Sequence, residues 1–275
     1  MLVMRIQLLF AFLALGWCLG CHGTPTSGID RMENAFLRGE MSIDDPQIVL
    51  ATTGAIDLEL ETFAGTVHVI ADPSLEVTTI EPVRRSTHGH LRRDEAAETL
   101  AAIDYRVNLH PSSLNSQTLE IRAWTSHPET HFQAIDFRIM TPSLRGVTIS
   151  TSRGRVWVDG FSGSAEITTT RGDIRLLSDH PVHEAVTLLN QDGSIDFRVP
   201  GGSTGLFHCV AQSGDVYHRI TAASITGASI TNGPSKFAAR VGAGTNLIEM
   251  RTTNADIRVA IVNDPTDVGA LIFEP

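Results

Sequence analysis

After Pro142 one unit of sequence recurs: an alternating strand, a polar residue, a glycine, then a second alternating strand. Four copies centre on Gly154, Gly172, Gly193 and Gly214. A weaker copy surrounds Gly233, and in a last copy Ala255 stands in the glycine place after Asn254. The centres are 18, 21, 21, 19 and 22 residues apart, and a near-constant period of about 20 marks a repeat architecture. The repeat constrains the fold through its columns. Two residues past the centre stand Val156, Ile174, Ile195, Val216 and Ile257; four past it stand Val158, Leu176, Phe197, His218 and Val259. Five before it come Ile149, Ile167, Leu188, Cys209 and Met250; seven before it come Val147, Ala165, Val186, Phe207 and Ile248. Side chains alternate across a strand, so stacking the units puts all four columns on one side and buries them together. The turn glycines Gly154, Gly172, Gly193, Gly214 and Gly233 supply the sharp corners.

These columns predict an all-β protein. The expected form is a right-handed β-solenoid, β-helix-like, of ~20-residue coils stacked at ~4.8 Å, with an N-terminal β region. The alternative is an antiparallel β meander or sandwich, since Asp192-Gly193 and Asn232-Gly233 are good hairpin turns.

Upstream, alternation starts near Ile48, with Ile56, Leu58 and Leu60, then Val67, Val69 and Ala71, then Leu75, Val77 and Thr79. Further strands are expected at 105–109, 118–124 and 132–140. Between them, residues 82–103 read as an insertion: a polar loop, then a helix from Asp94 to Ile103. The N-terminus has another character. Arg5 precedes the apolar run Ile6–Leu15, and Leu19-Gly20-Cys21 resembles the bacterial lipobox. A charged start, a short apolar stretch and small residues at the cut form an export signal. The expected organisation is a signal peptide at 1–20, a tether at 21–46, an N-terminal β region at 47–141 and the β-repeat at 142–275. Residues 47–275 read as one continuous domain. Cys21 is the expected lipidation site and membrane anchor.

The run Phe137-Arg-Ile-Met-Thr-Pro142, followed by Thr/Ser-x-Gly-x-Ile/Val units, resembles the bacterial putative-adhesin domains of β-strand repeats, a family of unknown function. The resemblance covers about 130–260 well and 48–125 loosely. It implies an exported, solenoid-like domain and brings no catalytic residues with it.

Composition narrows the function classes. The 275 residues carry a net charge of −10, and the 21 Lys and Arg are scattered, which argues against nucleic acid as a partner. With Cys18 and Cys21 used in processing, Cys209 stands alone in a core column and reads as a buried hydrophobe. His88 with His90, His127 with His131, and His180 with His183 and Glu184 offer no three ligands in one frame, so no metal or cofactor is named. Asp173 and Asp215 share a column two copies apart, ~9.6 Å by strand spacing, the far limit for an inverting pair of sugar-cleaving carboxylates. The outward column three past the centre contains Trp157, Arg175, Asp196, Tyr217, Lys236 and Arg258. Trp157, Arg175, Asp196 and Tyr217 form the candidate binding face, with an Arg175–Asp196 ion pair and two exposed aromatics. The expected function is that of a non-catalytic, lipid-anchored cell-envelope protein presenting a β-repeat surface to a protein or glycan, for adhesion or scaffolding. A periplasmic binding or sensing module is the alternative, and a polysaccharide-active enzyme the third reading.

Overall fold

The computed structural model describes residues 40–88, 92–113, 115–229 and 234–266. The expected signal peptide, Cys21, His90 and Gly233 lie outside them. The first strands are β1 (Met41–Asp44), β2 (Ile48–Leu50), β3 (Ala55–Thr62), β4 (Val67–Ala71) and β5 (Thr78–Ser86), followed by helix α1 (Arg93–Ala101). Then come β6 (Ile103–Ser113), β7 (Ser116–Thr125), β8 (Gln133–Thr141), β9 (Leu144–Arg153), β10 (Val156–Asp159), β11 (Ala165–Arg171) and β12 (Ile174–Leu177). The chain continues through β13 (Val186–Asp192), β14 (Ile195–Pro200), β15 (Gly205–Ala211) and β16 (Val216–Ile220). It ends with β17 (Ile225–Ser229), β18 (Lys236–Val241), β19 (Leu247–Thr252) and β20 (Ile257–Val262).

The strands form two ten-stranded mixed sheets, and each repeat except the weak copy around Gly233 gives its first strand to one sheet and its second to the other. Sheet A runs β1-β5-β8-β4-β10-β12-β14-β20-β16, with β2 on β5; sheet B runs β17-β18-β15-β19-β13-β11-β9-β3-β7-β6. Repeats pair parallel and in register: Val156 faces Ile174, which faces Ile195, which faces Ile257, which faces Val216. On sheet B, Ile149, Ile167, Leu188, Met250 and Cys209 align in the same way. The inward columns are buried and belong to one hydrophobic cluster shared by the sheets, which reaches from Ile56 to Ile261. The exception is His218, which is partly buried and stacks on Phe237 at 4.6 Å.

The two-layer, sandwich-like arrangement fits this topology; coils wound in chain order do not. The rung β19/β20 lies between β13/β14 and β15/β16, and β3/β4 lies between β7/β8 and β9/β10. The weak copy around Gly233 forms no rung. Its strands β17 and β18 pair antiparallel, and β18 pairs antiparallel with β15. The short connection between them suits a hairpin, whereas a parallel rung needs a long crossover. Lys236 therefore leaves the outward column of sheet A. Conversely, Gly65 centres a copy missing from the repeat count: Leu58, Leu60, Val67 and Val69 are all buried at the four column positions.

Two boundaries also move. Residues 41–44 of the expected tether are strand β1, paired antiparallel with β5. Beside it, Arg84 Nε donates to Asp45 Oδ1 at 3.1 Å and Arg85 Nη1 to Glu40 at 2.8 Å. The insertion expected from residue 82 starts later, because β5 continues to Ser86 along β8; its helix is α1. Leu75 and Val77 precede β5 and are not strand.

Candidate functional site

The corners explain why the repeat keeps a glycine. Gly154 N–H donates to Arg171 O at 2.7 Å and Gly172 N–H to Asp192 O at 2.9 Å, so each corner hangs on the next. Just before the corner, Thr62, Thr151, Thr169, Asn190 and Thr252 are buried polar residues. Their side chains donate to corner carbonyls: Thr169 Oγ1 to Arg171 O at 3.2 Å, Asn190 Nδ2 to Gly172 O at 2.7 Å, and Thr252 Oγ1 to Gly193 O at 2.9 Å. These donors are satisfied although buried, while Asn190 Oδ1 has no hydrogen-bond partner. Beyond the corner, aspartates accept from the neighbouring rung. Asp173 Oδ1 receives Ser194 N–H and Oγ–H, both at 2.9 Å, and Asp256 Oδ1 receives Asp215 N–H at 3.0 Å.

This order corrects the geometry expected of Asp173 and Asp215. With β20 between β14 and β16, the two are three strands apart. That is ~14 Å at ~4.8 Å per strand, outside the ~6.5–9.5 Å range of inverting carboxylate pairs.

The candidate face lies on the outer side of sheet A, and the structure extends it. Across adjacent strands the row reads Arg138, His68, Trp157, Arg175, Asp196, Arg258, Tyr217. Seven strands at ~4.8 Å make a row of ~29 Å. Trp157 and Tyr217 are partly buried, not fully exposed. Trp157 meets the His68 ring edge-on at 5.6 Å, and Tyr217 Oη donates to Asp215 Oδ2 at 3.2 Å. The Asp215 carboxylate, with burial second, holds the Tyr217 phenol above its usual pKa. The Arg175–Asp196 pair does not form. Asp196 is taken by Arg198, whose Nε and Nη2 reach its two oxygens at 2.9 and 2.8 Å, a fork that two residues on one strand face can close. Arg175 Nε is left buried without a hydrogen-bond partner.

Cys209 is fully buried, and burial pushes its thiol pKa up to about 12. The histidine groups regroup. His180 Nδ1 bonds Asp179 at 2.6 Å and His183 Nδ1 bonds Thr204 Oγ1 at 3.3 Å. His88 and His127, distant in sequence, come together with ring centroids 6.2 Å apart, and His88 packs on Phe132 at 4.4 Å. Burial, followed by the Arg92 charge, lowers the pKa of His88.

A second outward patch was missed at the sequence level. Trp124 is 42% exposed and borders a shallow depression with Arg106, Asn108, Glu120 and Arg122 on sheet B. The signal was present, since Glu120, Arg122 and Trp124 alternate with the buried Leu119, Ile121 and Ala123.

No family model matches the chain, and no curated protein sequence does. Among solved structures, a putative cell adhesion protein from Clostridium sporogenes is similar at 10% identity and a TM-score of 0.48, over 79% of this chain and 99% of that one. A putative adhesin from Bacteroides fragilis is similar at 10% identity and a TM-score of 0.32, over 80% and 97%. A putative lipid binding protein from Parabacteroides distasonis is similar at 6% identity and a TM-score of 0.21, over 78% and 96%. Likenesses this loose carry no argument about what this chain binds.

Proposed function

We propose that this chain is a non-catalytic adhesion protein of the bacterial cell envelope, anchored by lipid at Cys21, and that it presents the outer face of sheet A to a glycan. The observation that carries this reading is the row from Arg138 to Tyr217, which holds aromatic, guanidinium and imidazole groups in register across seven strands. Aromatic faces stack on sugar rings, and planar polar groups bond hydroxyls. A row of this length suits an extended polymer laid across the strands. A glycosidase reading is disfavoured, because its two acids stand three strands apart. The lipobox-like Leu19-Gly20-Cys21 and the apolar run before it support export and anchoring.

The test is retention on a panel of immobilised bacterial polysaccharides, comparing wild type with Trp157→Ala and Arg175→Gln. At least one polysaccharide should retain wild type and lose about tenfold in affinity with either substitution, the effect of ~1.4 kcal/mol of lost contact. If none is retained, or the substitutions change nothing, the glycan reading falls; a protein captured through the same face then favours the sensing module.

A further inference from the structure

We propose that His88, Glu95 and Glu129 form a binding site for a divalent transition-metal cation, with Zn2+ the best match to the ligand set. One ligand atom from each of these side chains lies within 4.8 Å of the other two. Two neighbouring segments, the chain after β5 and the first turn of α1, converge with a distant third, the turn before Thr130–Phe132. The convergence is held in place. Ser86 Oγ and Thr99 Oγ1 bond at 2.9 Å, Gln133 Nε2 donates to Thr99 O at 3.2 Å, and Thr87 N–H donates to Phe132 O at 2.9 Å.

The second observation is independent of the acids. His88 is 8% exposed, and neither of its ring nitrogens has a hydrogen-bond partner. A buried polar group left without a partner is destabilising. Phe132 and His127 fix the His88 ring, so it cannot turn out to water without breaking those contacts. A metal ion that takes the lone pair of one ring nitrogen removes part of that cost.

A cation already occupies the electrostatic position. Arg92 bridges the carboxylates, with an Nη2 contact to Glu95 and another to Glu129 Oε2 at 3.3 Å, and it lies over the Phe132 ring at 5.6 Å. Two carboxylates exceed the single guanidinium charge, and a divalent ion in its place balances them. The Arg92 side chain is 39% exposed and has solvent to swing into. One imidazole and two carboxylates suit zinc better than calcium or magnesium, which take all-oxygen shells. Tetrahedral bonds of ~2.1 Å put ligand atoms ~3.4 Å apart, so modest side-chain rotation closes the site, with water as the fourth ligand.

The test is calorimetric titration of the chelator-stripped full chain with ZnCl2, supported by Co2+ absorption as a report on coordination. We expect saturable binding that Glu129→Gln weakens at least ~10-fold. Arg92→Ala should tighten binding, because it removes the competing cation; a purely structural role for Arg92 predicts no gain. Binding that persists unchanged in Glu129→Gln, or no saturable binding, overturns the site. If Glu129→Gln alters the far-UV spectrum, the direction of the Arg92→Ala effect decides.

Discussion

A Cβ placed on Gly172 meets the Gly154 carbonyl oxygen at 2.2 Å, and one on Gly193 meets the Gly172 oxygen at 2.3 Å. Gly172 also sits at φ +119°, where L side chains are strained. The corner thus excludes a side chain twice, by backbone conformation and by the rung beside it. Gly227 at φ +69° has nothing within 4 Å of its would-be Cβ. Gly172→Ala should therefore cost well above the ~1–2 kcal/mol of a left-handed residue, and Gly227→Ala only about that, as read by urea denaturation midpoints. A second residue-scale prediction concerns Cys209. Buried, with its pKa pushed up to about 12, the thiol should stay unmodified by iodoacetamide at pH 8 in the native protein and react fully in urea, as seen by mass spectrometry of its peptide.

Among the elements, the β17–β18 hairpin stands out because it replaces a rung. Strand β18 turns Phe237, Ala239 and Val241 to the core and lies antiparallel against β15. It thereby covers an edge that would otherwise present unpaired backbone groups. Phe237 sits opposite Cys209 and stacks on His218, joining hairpin, β15 and β16. Phe237→Ala should cost about 3–5 kcal/mol and speed native-state labelling of Cys209, since the hairpin that shields it loosens. Labelling no faster than in wild type would mean that the hairpin does not guard this edge.

On the scale of the whole molecule, the order of rungs decides cooperativity. In an array stacked in chain order each unit touches only its sequence neighbours, and a terminal unit can be lost alone. Here the last rung, β19/β20, separates the third repeat from the fourth. Truncation after residue 244 removes the partners of β13, β14, β15 and β16 at once. The truncated chain should lose cooperative unfolding by far-UV circular dichroism, and a full-length chain lacking only the N-terminal 39 residues should keep it.

The alternation and the columns of the sequence determined which residues are buried, His218 excepted, and favoured parallel repeats in register over an antiparallel meander, a choice the structure settled for every rung. A period of two and a fixed spacing leave few other ways to hide Ile149, Ile167 and Leu188 together. The positive-φ corners at Gly154, Gly172 and Gly193 follow the same local logic, and the copy at Gly65 was legible in principle, because its four apolar positions match. Rung order was not, since every copy carries nearly the same apolar set and any copy can pair with any other. The three-strand gap between Asp173 and Asp215 depends on that order, and the meeting of His88 and Glu95 with Glu129 depends on loops converging from distant segments, whereas Asp196 finds Arg198 two residues along its own strand. Local sequence dictates which way a side chain faces; which neighbours it meets is a matter of long-range packing, and only the tertiary structure decides that.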